Sequence, residues 1–559
     1  MKKRQGSVEQ VLRSFWEEVG HHKRYLMVLL FFAILSYGFS VTHQTISIDD
    51  LRRDYDLGSQ ATKLSGRWGM VLWTRLMGAT RYAAFIDKYF ALVFLLLASV
   101  VFAALLHHIT KKNRIWPYTI FSSALVTYPL LNEIWEYTGT DFFVCGNMLL
   151  CGLVLLKMTL VGEEAAGTRK SGWLKACAAP WLLSGVILSL VASSYEAGVF
   201  FYITAACLML FLRYAVPGKG VKSPWILSGI EYAMPMILGV VLRFVFGAVI
   251  LALTNRTYYG GGDTGIRWQV TLWGLIKLVL VDYVAKGLIY FPITIFAFAA
   301  GFFVLVCIAL CIRRKSALPA VLGILIIISL FGLSLLQGSP QPYRTGQNLS
   351  VSTAFVCYLY AMYADEILVQ TEAYAGTGKG RVRRLLMQAV LVLLVYLNLH
   401  MATYNNWILS LNNQRSMNEE AVAWNLGYEL QANYPAKPIV FVGWEYVGSY
   451  IESQMRTDPA AWNGNLYIRA YRRLQGGQDP ANLRSAQTNV NSVLTWSVQT
   501  DDMMQQYFMY HGFDLPILPT TEIAVREEAA AYAQEINMRA YQIEERENYI
   551  IVCLNYPTW

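Results

Sequence analysis

The residues able to do chemistry gather in a few short polar segments set between long apolar runs. The first is ISIDD (46–50), which follows the first apolar run and ends in Asp49-Asp50. Adjacent carboxylates there can take a proton from an alcohol as a general base, or bind a divalent cation such as Mg or Mn. The same pair would also serve as an acidic turn capping the next helix. Further along, Gly66-Arg67-Trp68-Gly69 brings a guanidinium beside an indole. Arg67 can hold a phosphate in two-point fashion, and would also anchor to a lipid headgroup. Arg344 lies in GSPQPYRTGQ (338–347) next to Tyr343, in a turn stiffened by Pro340 and Pro342. Glu133, Glu136 and Asp141 share the segment NEIWEYTGTD, and Tyr195-Glu196 sits in SSYEAG between two apolar runs. A carboxylate at membrane depth is costly unless it is used or paired.

The elements that position these residues follow from composition. Of 559 residues, 55% are hydrophobic and 15% charged, and the mean hydropathy is +0.37. Soluble domains carry about 25% charged residues. An ordinary soluble enzyme, a disordered chain and a collagen-like fibre are excluded, and a polytopic α-helical membrane protein is indicated. About eleven apolar segments are long enough to span: 25–42, 85–107, 115–131, 142–160, 174–192, 197–213, 225–253, 288–311, 317–337, 347–363 and 384–403. The first starts after a polar stretch and reads as a signal anchor. The segment from Trp68 to Phe85 has the look of a helix lying in the membrane interface, and 264–287 has the same character or forms a twelfth span.

Basic residues set the orientation. With the N-terminus cytoplasmic, the cytoplasmic segments carry 23 Lys+Arg and the outer ones 11. An odd number of spans then places residues 404–559 outside the cell. Residues 404–559 hold 10 Lys+Arg against 17 Asp+Glu, whereas 1–403 hold 36 against 20. The net charge of +9 therefore belongs to loops that meet anionic lipid, and no nucleic-acid partner is expected. Arg344 runs against this trend as the sole basic residue of a short outer loop.

The chain divides into a multi-span domain, 1–403, and a small C-terminal domain, 404–559, of α/β or α+β type. PAKPIVFVGWE (435–445) and YIIVCL (549–554) read as strands, and 521–542 as a helix. Of eight cysteines, seven lie in apolar runs, so free buried thiols are expected. Glu231 and Arg243 are the charges inside a long span that call for an explanation as a transport path.

The order of features in the first loop is the most specific signal. A span, then ISIDD, a gap, GRWG and a further helix resembles the bacterial and phage glucosyltransferases of the type II O-antigen-converting kind. These belong with the multi-span glycosyltransferases of GT-C type that use lipid-linked sugars. The resemblance implies a GT-C-like bundle in the bacterial plasma membrane. It implies transfer of a sugar, glucose by the family name, from a polyprenyl-phosphate-sugar donor to a surface glycan acceptor at the outer leaflet. The acceptor would be an O-antigen, a teichoic acid or another envelope polymer. Asp50, with Asp49 as partner, is the expected base. Arg344 and Arg67 are the expected donor-phosphate ligands. Glu133, Asp141, Tyr195, Glu196, Tyr343 and Trp68 are candidates for sugar or acceptor contacts, with Glu136 an alternative to its neighbours. The competing classes are a lipid-linked-sugar flippase or other transporter, and a surface polysaccharide polymerase or ligase. A transporter would show paired halves and broken helices; a polymerase would carry its large loop later in the chain.

Overall fold

In the computed structural model the chain is mostly helical. The structure describes residues 7–20, 23–43, 45–46, 50, 66–78, 84–137, 139–165, 173–216, 224–254, 271, 273–277, 280, 295–338, 343–372, 378–443, 473, 501–518, 522–535 and 541–554. Asp49 and most of 264–287 lie outside them.

An amphipathic helix, α1 (Val8–Phe15), opens the fold. Ser7 and Gln10 close a capping box at its start, satisfying backbone donors that the first turn leaves open. Its apolar stripe buries Phe15 edge-on against Tyr25, His107 and Tyr118. The bundle proper follows: α2 (Lys23–Thr42), α3 (Trp68–Leu76), α4 (Ala84–Thr110), α5 (Trp116–Val126), α6 (Asn132–Glu136), α7 (Asp141–Ala165), α8 (Trp173–Ser194), α9 (Ala197–Tyr214) and α10 (Trp225–Leu253). Then come α11 (Ile295–Arg314), α12 (Leu318–Leu330), α13 (Gly332–Gln337), α14 (Gln347–Glu372) and α15 (Gly378–Asn433). Among the described residues, seven helices are long and apolar enough to cross a membrane. They share one contiguous apolar core.

Two expected spans are interrupted, each for a local reason. Within 115–131, Pro129 ends the regular helix: α5 stops at Val126, Tyr128 is extended, and a short 3-10 turn covers Pro129–Leu131. Within 317–337, the chain breaks at Phe331 before Gly332. α3 is packed into the bundle against α8, with Trp68, Val71 and Trp73 buried.

The helix α15 carries the chain out of the bundle without interruption. At 1.5 Å per residue its 56 residues extend about 84 Å, more than twice the apolar thickness of a bilayer. Its far end meets a three-stranded sheet of order β1-β3-β2, made of β1 (Ile439–Gly443), β2 (Gln542–Glu545) and β3 (Ile550–Leu554). β1 pairs parallel to β3 with Ile439 opposite Ile550, and β2 pairs antiparallel with Gln542 opposite Cys553. Alternate residues supply the two faces. Ile439, Phe441, Ile550, Val552 and Leu554 pack on Leu426 and Leu430 of α15 and on α16 (Asp501–Tyr510). Val440, Val442, Ile551 and Cys553 pack on α17 (Ile523–Glu535) through Ala529. The expected helix over 521–542 thus ends earlier, and Gln542 is already strand. All eight cysteines are free thiols.

Phe441 is buried and stacked on Phe508 at 5.4 Å. Phe441→Ala should cost about 3–5 kcal/mol within the sheet unit. Hydrogen exchange should accelerate in β1 and β3 and stay unchanged in α4 and α7; unaltered protection of β1 would contradict this packing.

Candidate functional site

The site is built on a turn between two helices. α8 ends at Ser194 and α9 begins at Ala197, leaving Tyr195 and Glu196 between them. Glu196 occupies the N-cap of α9, yet its side chain makes no capping bond. Instead it faces two guanidiniums. Arg67 donates from Nη2 to Oε2 at 3.0 Å and from Nε to Oε1 at 3.4 Å. Arg243 donates from Nη2 to Oε1 at 2.9 Å. One carboxylate therefore holds two cations that come from α10 and from the residue preceding α3.

The GRWG motif explains how Arg67 arrives there. Gly66 has φ +64, a left-handed conformation that glycine adopts freely. Gly69 lies against the end of α8, where a Cβ would stand 2.7 Å from the Leu190 carbonyl oxygen; only glycine permits this approach. Trp68 is buried, donates its indole N–H to the Arg243 carbonyl at 3.0 Å, and meets Phe246 edge to face. Arg67 then projects over the Tyr195 ring, 5.6 Å from its centroid. Trp68 thus pins the start of α3 to the backbone of α10 at Arg243.

A second ion pair lies close by. The short turn Tyr343–Thr345 carries Arg344, which donates to Glu133 Oε1 at 3.1 Å and to the Tyr137 hydroxyl at 3.0 Å. Its guanidinium stands 4.9 Å from the Tyr137 ring centre. Glu133 is 1% exposed, whereas Arg344 keeps about a third of its side chain accessible (32%). Tyr195 joins the two pairs. Burial raises its hydroxyl above the ordinary value; the positive charges of Arg344 and Arg67 pull it down, and Glu133 and Glu196 push it up again. All four charges act on one phenol, which stays protonated at neutral pH and can donate a hydrogen bond. For Glu196, burial raises the carboxyl, but Arg67 and Arg243 outweigh it and the group lies below the ordinary 4.5.

The other expected residues are distributed as follows. Asp141 caps its own helix, accepting from the Phe142 N–H at 2.8 Å and the Gly139 N–H at 3.2 Å, with Lys88 at 3.8 Å. It is fully buried. Glu136 accepts from Asn412 of α15. Tyr343 begins the turn that carries Arg344. Asp50 is buried in a turn after Thr45 and Ile46, which are buried as well. Ile46 belongs to the apolar cluster of the C-terminal sheet, with Leu426, Phe513 and Val552. Among the described residues, no three His, Cys, Asp or Glu side chains are grouped to hold a metal ion. The sequence singles out Arg243 and Glu231 only as charges within one long apolar span. They lie twelve residues apart on α10, about 18 Å along its axis. Arg243 belongs to the arginine site, and Glu231 packs near Gly162 and Cys177.

Apolar helices long enough to cross a membrane define a membrane protein, and this bundle gathers three arginines, two carboxylates and a phenol. The family model for the glucosyl transferase GtrII matches residues 38–363, which is more than half of the chain. The chain belongs to this family and is a glycosyltransferase. No curated protein and no solved structure matches it. The matched span contains Asp50, Arg67, Glu133, Glu196, Arg243 and Arg344, and ends before α15 and the sheet.

Glu196→Gln would leave Arg67 and Arg243 facing each other without a counter-charge. Because the native carboxyl is held below its ordinary value, its contribution is present above that value and fades as pH falls through the depressed one. The melting temperature of Glu196→Gln should therefore lie below wild type by a constant margin from about pH 7 to about pH 5, and the margin should close below about pH 4. A margin that widens on acidification would refute the arrangement.

Proposed function

We propose that the protein takes glucose from a polyprenyl-phosphate donor in the outer leaflet of a bacterial plasma membrane and transfers it to a hydroxyl of a surface glycan. The N-terminus lies in the cytoplasm, and residues 404–559 form an extracytoplasmic domain. The observation that carries this reading is the gathering of Arg67 and Arg344 at Tyr195, with Arg243 on the neighbouring Glu196, beside an apolar face of α10. Ile237, Val241, Phe244 and Val249 are exposed on that helix, and the Arg243 guanidinium stands 5.8 Å from the Phe244 ring. A charged head joined to a long hydrocarbon tail suits a surface that is cationic at one point and apolar along the adjoining helix.

In this reaction the acceptor oxygen forms a bond to the anomeric carbon as the carbon–oxygen bond to phosphate breaks. The electron pair leaves with the polyprenyl phosphate, whose charge grows by one. Arg67, Arg243 and Arg344 face that growing charge. The acceptor proton passes to Asp50, with Asp49 as its partner. The pair could instead bind Mg or Mn, in which case EDTA should abolish transfer.

Purified protein in nanodiscs, given polyprenyl-phosphate-glucose and delipidated envelope glycan, should transfer glucose. Asp50→Asn should lower kcat by about 10²–10⁴-fold with the donor KM little changed. Arg243→Ala should cost about 10²-fold or more in kcat/KM for the donor. Full activity of both Asp49→Asn and Asp50→Asn would dismiss the first loop as the base. Absence of transfer with any lipid-linked sugar would favour a flippase.

Ile46 offers a separate check. Seated in the C-terminal cluster, it fixes the segment that ends in Asp50. Ile46→Asp should lower kcat at least tenfold at unchanged donor KM, and Ile46→Val should restore activity within about threefold. Equal activity of Ile46→Asp and wild type would uncouple the sheet from the loop.

A further inference from the structure

The face of the C-terminal unit beside the end of α15 carries aromatic side chains that no core requires. Trp424 and Tyr428, one helical turn apart, remain 40% and 62% exposed, with ring centres 5.8 Å apart and planes inclined by only 30°. Both rest edge-on against Phe513, at 5.2 and 5.0 Å, which holds them upright. Tyr510 adds a third ring that is 49% exposed. Beneath them His511 is 7% exposed, flanked by Trp424 at 5.6 Å and Tyr510 at 5.3 Å. Its Nε2 is buried and has no hydrogen-bond partner among the described residues. Burial lowers its pKa below 6.5, so the ring is neutral at pH 7. Glu420, one turn before Trp424, is close enough for its charge to act on the Tyr510 hydroxyl.

An aromatic belt at the membrane surface is excluded by distance. The apolar stretch of α15 ends near residue 403, and Trp424 stands about 30 Å farther along the helix axis. Exposed rings with polar groups at their edges fit a ligand with apolar faces and rimming hydroxyls, which is the chemistry of a sugar ring. The charge balance narrows the choice. With 17 Asp+Glu against 10 Lys+Arg in residues 404–559, this unit repels polyanions.

We propose that Trp424, Tyr428 and Tyr510, with Glu420 at their edge and His511 packed beneath them, form a binding platform for a neutral oligosaccharide segment of the acceptor glycan. The rings stack on sugar faces, and Glu420 accepts from sugar hydroxyls. Phe513, which supports the rings, belongs to the same apolar cluster as Ile46, so a glycan held here lies over the unit that anchors the Asp50 loop. The platform lies beyond the family-matched span. Its role as an acceptor subsite rests on the proposed transfer reaction, but its affinity for glycan does not.

The test uses full-length protein in nanodiscs and measures binding without turnover. The probes are a fluorescent, delipidated neutral O-polysaccharide and a fluorescent polyglycerol phosphate of similar length. Wild type should bind the neutral polymer and bind the polyanion at least tenfold more weakly. Trp424→Ala with Tyr428→Ala should weaken neutral-polymer binding about tenfold or more, whereas Trp424→Phe should stay within about threefold of wild type. Tyr510→Ala, which leaves α15 untouched, should weaken it as well. In transfer assays the double variant should raise the acceptor KM and leave donor KM unchanged. Equal binding by wild type and both alanine variants, no binding of the neutral polymer, or preference for the polyanion would overturn the proposal. Intact transfer with unaltered acceptor KM would overturn the platform alone. Glycan binding that depends on these rings without any transfer would overturn the proposed reaction alone.

Discussion

The site depends on one carboxylate shared by two guanidiniums. Glu196 is 18% exposed, Arg243 13% and Arg67 35%, so all three give up hydration. That loss is tolerable only when each charge meets its partner in good geometry. The requirement fixes much of the neighbourhood. Glu196 must turn away from the helix it begins, Arg67 must reach it from before α3, and Arg243 must emerge from α10 at the right height. Gly66, Trp68 and Gly69 meet these demands through a left-handed turn, a hydrogen bond to the Arg243 carbonyl, and close approach to α8. Removing any one would leave a buried charge without its match.

The far half of α15 extends the same logic to the C-terminal unit. Asn405 donates to the Thr127 carbonyl at 2.8 Å and accepts from Asn132 at 2.9 Å. Asn412 donates to Glu136. These bonds tie α15 to the segment between α5 and α7, which also carries Glu133, the partner of Arg344. Ile46 supplies an apolar tie from the first loop to the sheet. The arginine site and the Asp50 loop are thereby braced by one helix, although they lie far apart in sequence. Buried amide bonds of this kind are directional, so they set the rotation of α15 about its axis, which apolar packing alone leaves loosely determined.

The sequence was most informative where a residue type ran against its surroundings. Arg344 in a short outer loop, Glu196 in a tight turn and GRWG after an acidic segment all stood out, and the structure brings Arg67, Glu196, Arg344, Glu133 and Tyr195 together. Arg243 was noticed as a charge within an apolar run, but nothing in a single sequence gives the rotation of α10, so its partner was hidden. Trp68 and Asp141 have the residue types of ligand contacts, and a single sequence gives no sign of their burial or of the backbone groups that they bond. The seat of Ile46 was invisible because periodicity reports which face of an element is apolar and not which distant element covers it. Span edges failed where Pro129 and Gly332 interrupt apolar runs, because hydropathy windows average over such breaks.

The charge of the arginine cluster bears on how the proposed reaction would be driven. Three guanidiniums and two carboxylates leave one positive charge in excess. A polyprenyl-phosphate-sugar carries one negative charge, so the bound donor would be close to neutralised. As the bond to the sugar breaks, a second negative charge develops on the phosphate, and the Glu196 and Glu133 pairings become the adjustable element. An arginine that exchanges part of its contact with carboxylate for contact with phosphate gains most when the phosphate charge is largest. Stabilisation that grows along the reaction accelerates it, whereas equal stabilisation of donor and transition state would not. On this argument the carboxylates do more than hold the guanidiniums in place. In the proposed reaction they would keep the resting site from binding the donor so tightly that the difference is lost, a role that fits Glu196 and Glu133 sitting against the arginines assigned to the phosphate.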